Sequence, residues 1–455
     1  MTPRLLRRAA VAPGEERDLA VSAGMLVAPE ELPRGTEVLD LEGRAVIAGL
    51  VDHHVHLLAT AAALVSVDLT PAALHAAGSL TTALRRARRT RPSGWLRGIG
   101  YDEVASGPLD RELLDRAGVG PVRIQDRSGV TWMLDAVGLE RVRPADPGDW
   151  PPGTEVVDGR PTGRFFRCDG WLRSRIPHEP PDLVEVGRRL ATRGVTAVVD
   201  ASVTNGPDEL ELLAGAGMPQ RLVAMTGGPE IAAPGGIRLG PTKIVLDDVD
   251  LPALDDLSAA VRRAHDSGRC VAIHCVTRTQ LVLALAAGIG PGDRIEHGSV
   301  IPDGAIELLA RSGVTVVTQP GLIRTRGDRY LREVDRGDLD SLYRLRSLLD
   351  AGVPVAIGSD APYGPIDPWV HVAAAVDRRS ADGAVIGGDE AMELRKVLGL
   401  LQRDPGAAHR PGPGLAMGAP ADLCVLDTDW VGLARDPAVA EVHSTWIDGT
   451  PVHMR

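Results

Sequence analysis

From about residue 190 onward the chain alternates short apolar runs with amphipathic segments, and this rhythm restricts the fold more than any other feature. The runs are 196–201, 220–226, 242–246, 270–275, 294–297, 315–318 and 353–358. Between them lie segments with helical spacing, such as 254–265, 306–312 and 339–350. Strand–helix alternation builds a parallel sheet, because a parallel crossover needs a connection of helix length. An eighth apolar run, 51–57, lies far upstream. Eight such units predict an α/β fold closed into a (β/α)8 barrel of the TIM type.

Two regions fall outside the rhythm. Residues 58–190 separate the first strand from the second and carry β-like runs of their own at 95–101 and 122–126, with a Pro/Gly-rich tract at 144–163. They read as a large subdomain inserted after the first strand, over the barrel mouth, where connecting loops grow and carry function. Residues 1–48 and 414–455 read as short strands and turns, and Asp448-Gly449 is a hairpin signal. The two ends are expected to meet in a small β-sandwich, which leaves 49–413 for the barrel and its insertion. A length of 455 residues suits one large barrel with appendages.

A formal net charge of −11 argues against nucleic acid or an anionic membrane as partner. The four cysteines, Cys168, Cys270, Cys275 and Cys424, show no CxxC spacing, which fits a reducing compartment. The first residues lack the apolar stretch of a signal peptide, and no run reaches the ~18 apolar residues of a membrane helix. A cytoplasmic location and a small-molecule partner are expected, with a homodimer left open.

Chemistry enters at Val51-Asp52-His53-His54-Val55-His56-Leu57. Side chains two apart leave the same face of a strand, so His54 and His56 project side by side as two legs of a metal site. The second clue is lysine. Among 50 basic residues only Lys243 and Lys396 are lysines, and Lys243 sits in the apolar run Thr242-Lys243-Ile244-Val245-Leu246. A long cation in a buried strand needs a partner or a chemical role. Unlike arginine, a buried lysine can lose its proton. Its neutral amine can then add carbon dioxide and become a carbamate, an anionic oxygen ligand. The plainer reading pairs Lys243 with Asp247 or Asp248.

Other strands also end in potential ligands: His274, His297 and Asp360. Each alone has a plain reading, as a core histidine, a helix cap and a turn residue before Pro362. In a (β/α)8 barrel, however, the C-terminal strand ends converge on one mouth. Histidines, lysine and aspartate on strands one, four, five, six and eight therefore point jointly to a metal centre.

These motifs resemble the amidohydrolase superfamily of metal-dependent hydrolases, across nearly the whole chain. The likeness includes Gly49-Leu50-Val51-Asp52-His53-His54-Val55-His56, Gly358-Ser359-Asp360-Ala361-Pro362 and the stretch from Gly418 to Asp427. The insertion, with Gly94-Trp95-Leu96-Arg97-Gly98-Ile99-Gly100-Tyr101-Asp102-Glu103, is similar to the family 3 branch, which includes N-substituted formamide deformylase-like enzymes. The resemblance implies two divalent ions, zinc or else manganese or iron. It implies His54 and His56 on the more buried ion, carboxylated Lys243 as the bridge, and His274 and His297 on the second ion. Asp360 would contact the buried ion and transfer protons. Asp247-Asp248 stands where the branch usually has Asp-Gly, and Arg127-Ser128-Gly129 where relatives often show Gly-His-Ser. Both departures bear on the substrate.

The expected activity is hydrolysis of a non-peptide, amide-like C–N bond in a small molecule. One rival is a one-metal deaminase of a purine- or pyrimidine-like ring. Relatives of that kind carry His-x-x-Glu on strand five, whereas this chain has His274-Cys275-Val276-Thr277. A second rival is a non-catalytic scaffold on the same fold, which would be expected to lose ligands. Arg127 and Tyr343 are candidate substrate contacts, and 324–337 reads as a charged lid.

Overall fold

The computed structural model describes residues 2–146, 148–177 and 182–455. Eight parallel strands run in sequence order around a barrel: β1 (Leu50–Val55), β2 (Val195–Asp200), β3 (Arg221–Thr226), β4 (Arg238–Val245), β5 (Val271–Cys275), β6 (Arg294–His297), β7 (Thr315–Thr318) and β8 (Val355–Ile357). Most are buried on both faces, as expected for a parallel sheet covered by helices, and so they read as unbroken apolar runs. The barrel closes where the turn after β8 meets β1. There the Asp360 amide donates to the His54 carbonyl at 2.7 Å and the His56 amide to the Ala361 carbonyl at 2.9 Å. Gly358 permits the approach, because a Cβ there would lie 2.5 Å from the His54 nitrogen.

Two four-stranded sheets built from both chain ends form the sandwich. One holds Arg4–Ala12, Glu15–Ser22, Met25–Val27 and Glu37–Asp40. The other holds Val46–Ala48, Leu423–Leu426, Val442–Ile447 and Thr450–Met454. Leu6, Leu19, Val21, Val425 and Trp446 share its core. Arg221 of β3 reaches it through Asp422, at 2.8 and 3.0 Å, and through Asp448 at 2.5 Å.

Residues 61–182 form a second compact unit. Its six-stranded sheet contains Leu96–Tyr101 and Val122–Asp126 as parallel neighbours, and Thr131–Leu134 and Arg160–Phe166 as antiparallel ones. Two cores hold it together, one around Leu84, Leu96 and Ile124, the other around Trp132, Phe165 and Leu172. The helix Leu183–Ala191 groups with the barrel, not with the insertion, because its Leu183, Val186 and Leu190 face inward just ahead of β2.

Two readings need correction. Of the segment read as a lid, 324–337, residues 324–333 belong to helix α1 (Gly321–Glu333), which is anchored by buried Leu322, Ile323 and Tyr330. The helix expected over 339–350 is broken into a 3-10 turn, Leu339–Ser341, and a short helix, Arg346–Asp350. Tyr343 lies between them with φ +46°. Among the described residues no helix is long and apolar enough to cross a membrane.

Candidate metal centre

Four strands and one turn deliver the candidate ligands to the C-terminal end of the barrel. His54 stands near the end of β1, fully buried, and His56 one residue beyond it. Lys243 is on β4, His274 on β5, and His297 closes β6. Asp360 lies in the turn after β8. His297 and Asp360 take left-handed backbone angles, φ +70° and +56°. Non-glycine residues rarely adopt such angles, and they persist only where surrounding structure holds them.

The imidazoles crowd together. The His54 ring lies 5.2 Å from His56 and 4.8 Å from His297, and His274 lies 4.6 Å from His297. Ligand atoms of His54, His297 and Asp360 lie within 4.8 Å of one another. Asp360 Oδ1 is 3.5 Å from His54 Nε2 and 3.3 Å from His56 Nε2. Two buried atoms at this centre, His54 Nε2 and Lys243 Nζ, have no hydrogen-bond partner. Buried polar atoms are normally satisfied, so two orphans among converging nitrogen and oxygen donors fit a cation between them. Lys243 does not take the pairing read for it from sequence. Asp248 instead accepts from the Thr277 hydroxyl at 2.9 Å.

The electrostatics suit ligation. Burial pushes the His54 imidazole down to about 3 and lowers His274 and His297 as well, so all three present neutral rings. Burial also lowers the Lys243 ammonium, against the opposing pull of Glu296 and Asp360. That favours the neutral amine from which a carbamate forms. Burial would raise the Asp360 carboxyl, but His297, a hydrogen bond from His56 and the His54 ring hold it below its usual value. Asp52, raised to about 6 by burial, accepts from the amides of His54 at 3.1 Å and Ser359 at 2.8 Å. It thereby fastens β1 to the Asp360 turn.

His54, His56 and His297, three of the candidate ligands, each have something behind the ring. His56 Nδ1 meets the Ser202 hydroxyl at 3.1 Å, and His297 Nδ1 meets the Gln319 side-chain oxygen at 2.9 Å. His54 Nδ1 meets Glu296, which pairs with Arg294. Sequence reasoning had not singled out Ser202, Gln319, Glu296 or Arg294. Only the last two left a signal: two charges at i and i+2 inside a buried strand.

Arg127 is in the second unit, 3.0 Å from Asp102. Tyr343 is buried in a small core with its hydroxyl 2.9 Å from that of Tyr330. A residue not foreseen, Tyr363, stands edge-on to His56 with ring centroids 5.7 Å apart.

A family model described as Amidohydrolase family matches residues 37–453. The chain is 27% identical to N-substituted formamide deformylase of Arthrobacter pascens, over 91% of this chain and 89% of that protein. It is 24% identical to putative amidohydrolase YtcJ of Bacillus subtilis (strain 168), over 92% and 91%. An uncharacterized metal-dependent hydrolase from Pyrococcus horikoshii OT3 shares the fold, with a TM-score of 0.72 at 22% identity over 99% of this chain and 100% of that one.

Proposed function

Because the chain belongs to the amidohydrolase family and is thus a metal-dependent hydrolase of carbon–nitrogen bonds, we propose that it cleaves a non-peptide, amide-like bond in a small molecule. The observation that carries this reading is that the buried, unpartnered His54 Nε2 belongs to a group whose ligand atoms, with those of His297 and Asp360, lie within 4.8 Å of one another, beside a buried Lys243 Nζ that also lacks a partner and feels the Asp360 charge. In this reading His54 and His56 would hold one ion and His274 and His297 a second, with carboxylated Lys243 as a further anionic ligand. Imidazole, carboxylate and carbamate donors suit zinc, with manganese or iron as alternatives.

A divalent metal supplies Lewis acidity, which polarises a carbonyl and lowers the pKa of water to about 7. The chain's own residues do the rest. Asp360 Oδ1 faces His54 and His56, which leaves Oδ2 to take the proton of the attacking water. The same carboxyl then returns that proton to the leaving nitrogen. Tyr363, beside His56 and partly exposed, forms a wall against which an apolar substituent can pack. The similarity to a protein named N-substituted formamide deformylase makes N-substituted formamides the first substrates to try. N-acyl amino acids, hydantoins and carbamates complete the panel.

Metal analysis of purified protein tests the centre: two ions support this reading, one favours the deaminase rival, and none favours a scaffold. Lys243 gives the sharper test. Lys243→Arg keeps the charge but cannot carboxylate, so it should lose the second ion first. Lys243→Ala should regain some activity when a short carboxylic acid is added. Mass spectrometry of metal-loaded protein should show one carbon dioxide added at Lys243. An unmodified ammonium beside a filled site overturns the two-ion reading.

A further inference from the structure

Arg294 and Glu296 of β6 are charged residues inside a barrel whose interior positions ordinarily go to branched aliphatics. Spaced by two, they leave the same face of the strand. Both side chains are essentially inaccessible, at 4% and 0% exposure. A buried ion pair is a poor way to stabilise a core, since desolvation of both charges offsets their attraction. Its geometry is aimed elsewhere. Arg294 Nε donates to Glu296 Oε1 at 2.7 Å, and Nη2 to Oε2 at 3.1 Å. The same Nη2 donates to the His53 carbonyl at 2.7 Å. Glu296 Oε2 meets His54 Nδ1. β1 and β6 are not neighbours in the sheet, where β6 pairs with β5 and β7. The pair therefore spans the barrel and grips the first ligand strand at two consecutive residues.

We propose that Arg294 and Glu296 are positioning residues that hold the His54 hydrogen at Nδ1 and present its Nε2 lone pair to the metal, making His54 the anchor of the centre. A carboxylate that accepts two guanidinium hydrogens has only acceptor capacity left, so the imidazole nitrogen facing it carries the hydrogen. The other nitrogen, Nε2, is the one left without a partner. The three histidines with a partner behind the ring are not equivalent. His56 is backed by a hydroxyl and His297 by an amide, both neutral. His54 alone among them is backed by a carboxylate, which makes its ring the strongest donor.

This inference rests on the reading of His54 as a metal ligand, and the test separates the two. Long-range 1H–15N spectra of histidine-labelled apo protein, with the His54 signal assigned through His54→Asn, should show His54 protonated at Nδ1. Zinc affinity of apo protein, measured against a chromophoric chelator, should fall about 10–100-fold in Glu296→Gln. It should fall less in Ser202→Ala, which removes a neutral hydroxyl instead of a carboxylate. The wild-type tautomer needs no variant of the pair, so poor folding of Glu296→Gln leaves that half of the test intact. Hydrogen at Nε2 in the wild type, or Glu296→Gln affinity within twofold, overturns the positioning role while the metal centre stands. Wild-type protein with no affinity for divalent metal overturns both.

Discussion

The sandwich and the barrel mouth treat polar groups in opposite ways. In the sandwich each polar side chain near the core is answered: Trp446 Nε1 donates to Ser444 at 2.9 Å, Thr445 to the Ala191 carbonyl at 2.6 Å, and Arg221 to two aspartates. Its interior is otherwise aliphatic. At the mouth, His54 Nε2 and Lys243 Nζ are buried and unanswered, and His297 and Asp360 hold left-handed backbone angles. An unsatisfied buried polar group costs about 1–3 kcal/mol, and a strained non-glycine residue about the same. One region lowers the energy of the folded chain, and the other raises it where a ligand is to be received. Damage to the first should therefore appear as lost stability, and damage to the second as lost chemistry.

The most severe test removes the first pair of candidate ligands. His54→Ala/His56→Ala should lose bound metal and reduce kcat/KM on the order of 10⁴-fold, several kcal/mol of transition-state stabilisation. Its far-UV circular dichroism should match wild type. Full metal and full turnover in that variant would erase the contrast between the regions. Next comes Asp360→Asn, which should keep the fold and much of the metal while turnover drops about 10²–10⁴-fold. Turnover within threefold of wild type would remove Asp360 from proton transfer.

Trp446→Ala probes the other side. It should cost about 3–5 kcal/mol in denaturant unfolding, the usual loss for a large core aromatic. Activity per folded molecule should not change, and a selective fall in kcat would mean that the sandwich shapes the site. The smallest effect is expected from Tyr343→Phe, which removes one buried hydroxyl contact at about 1 kcal/mol of stability. Its kcat/KM should stay within threefold. A larger kinetic change would return Tyr343 to the substrate contacts.

The barrel was legible because its strands are covered on both faces and so appear as continuous apolar runs. β4 was the partial exception. It starts at Arg238, ahead of the apolar run 242–246 that marks it in the sequence. The candidate ligands stand out in the sequence because strand ends are where this fold gathers chemistry, and a histidine or lysine in an apolar run is conspicuous. Glu296 was not, since its partner His54 lies 242 residues away and no local pattern links them. The burial of Tyr343 was hidden for another reason. It depends on a break between two short helical pieces and on a positive φ, which helical spacing in a sequence does not encode.

The sandwich also sets a timetable. Its strand Val46–Ala48 pairs with Leu423–Leu426, so roughly 375 residues must be synthesised between one partner and the other. At about 5–20 residues per second, that interval lasts on the order of 20–75 seconds. Throughout it, Leu6, Leu19 and Val21 lack most of the opposing sheet that covers them. On the ribosome the nascent chain carries an open apolar face for the time it takes to make the entire barrel.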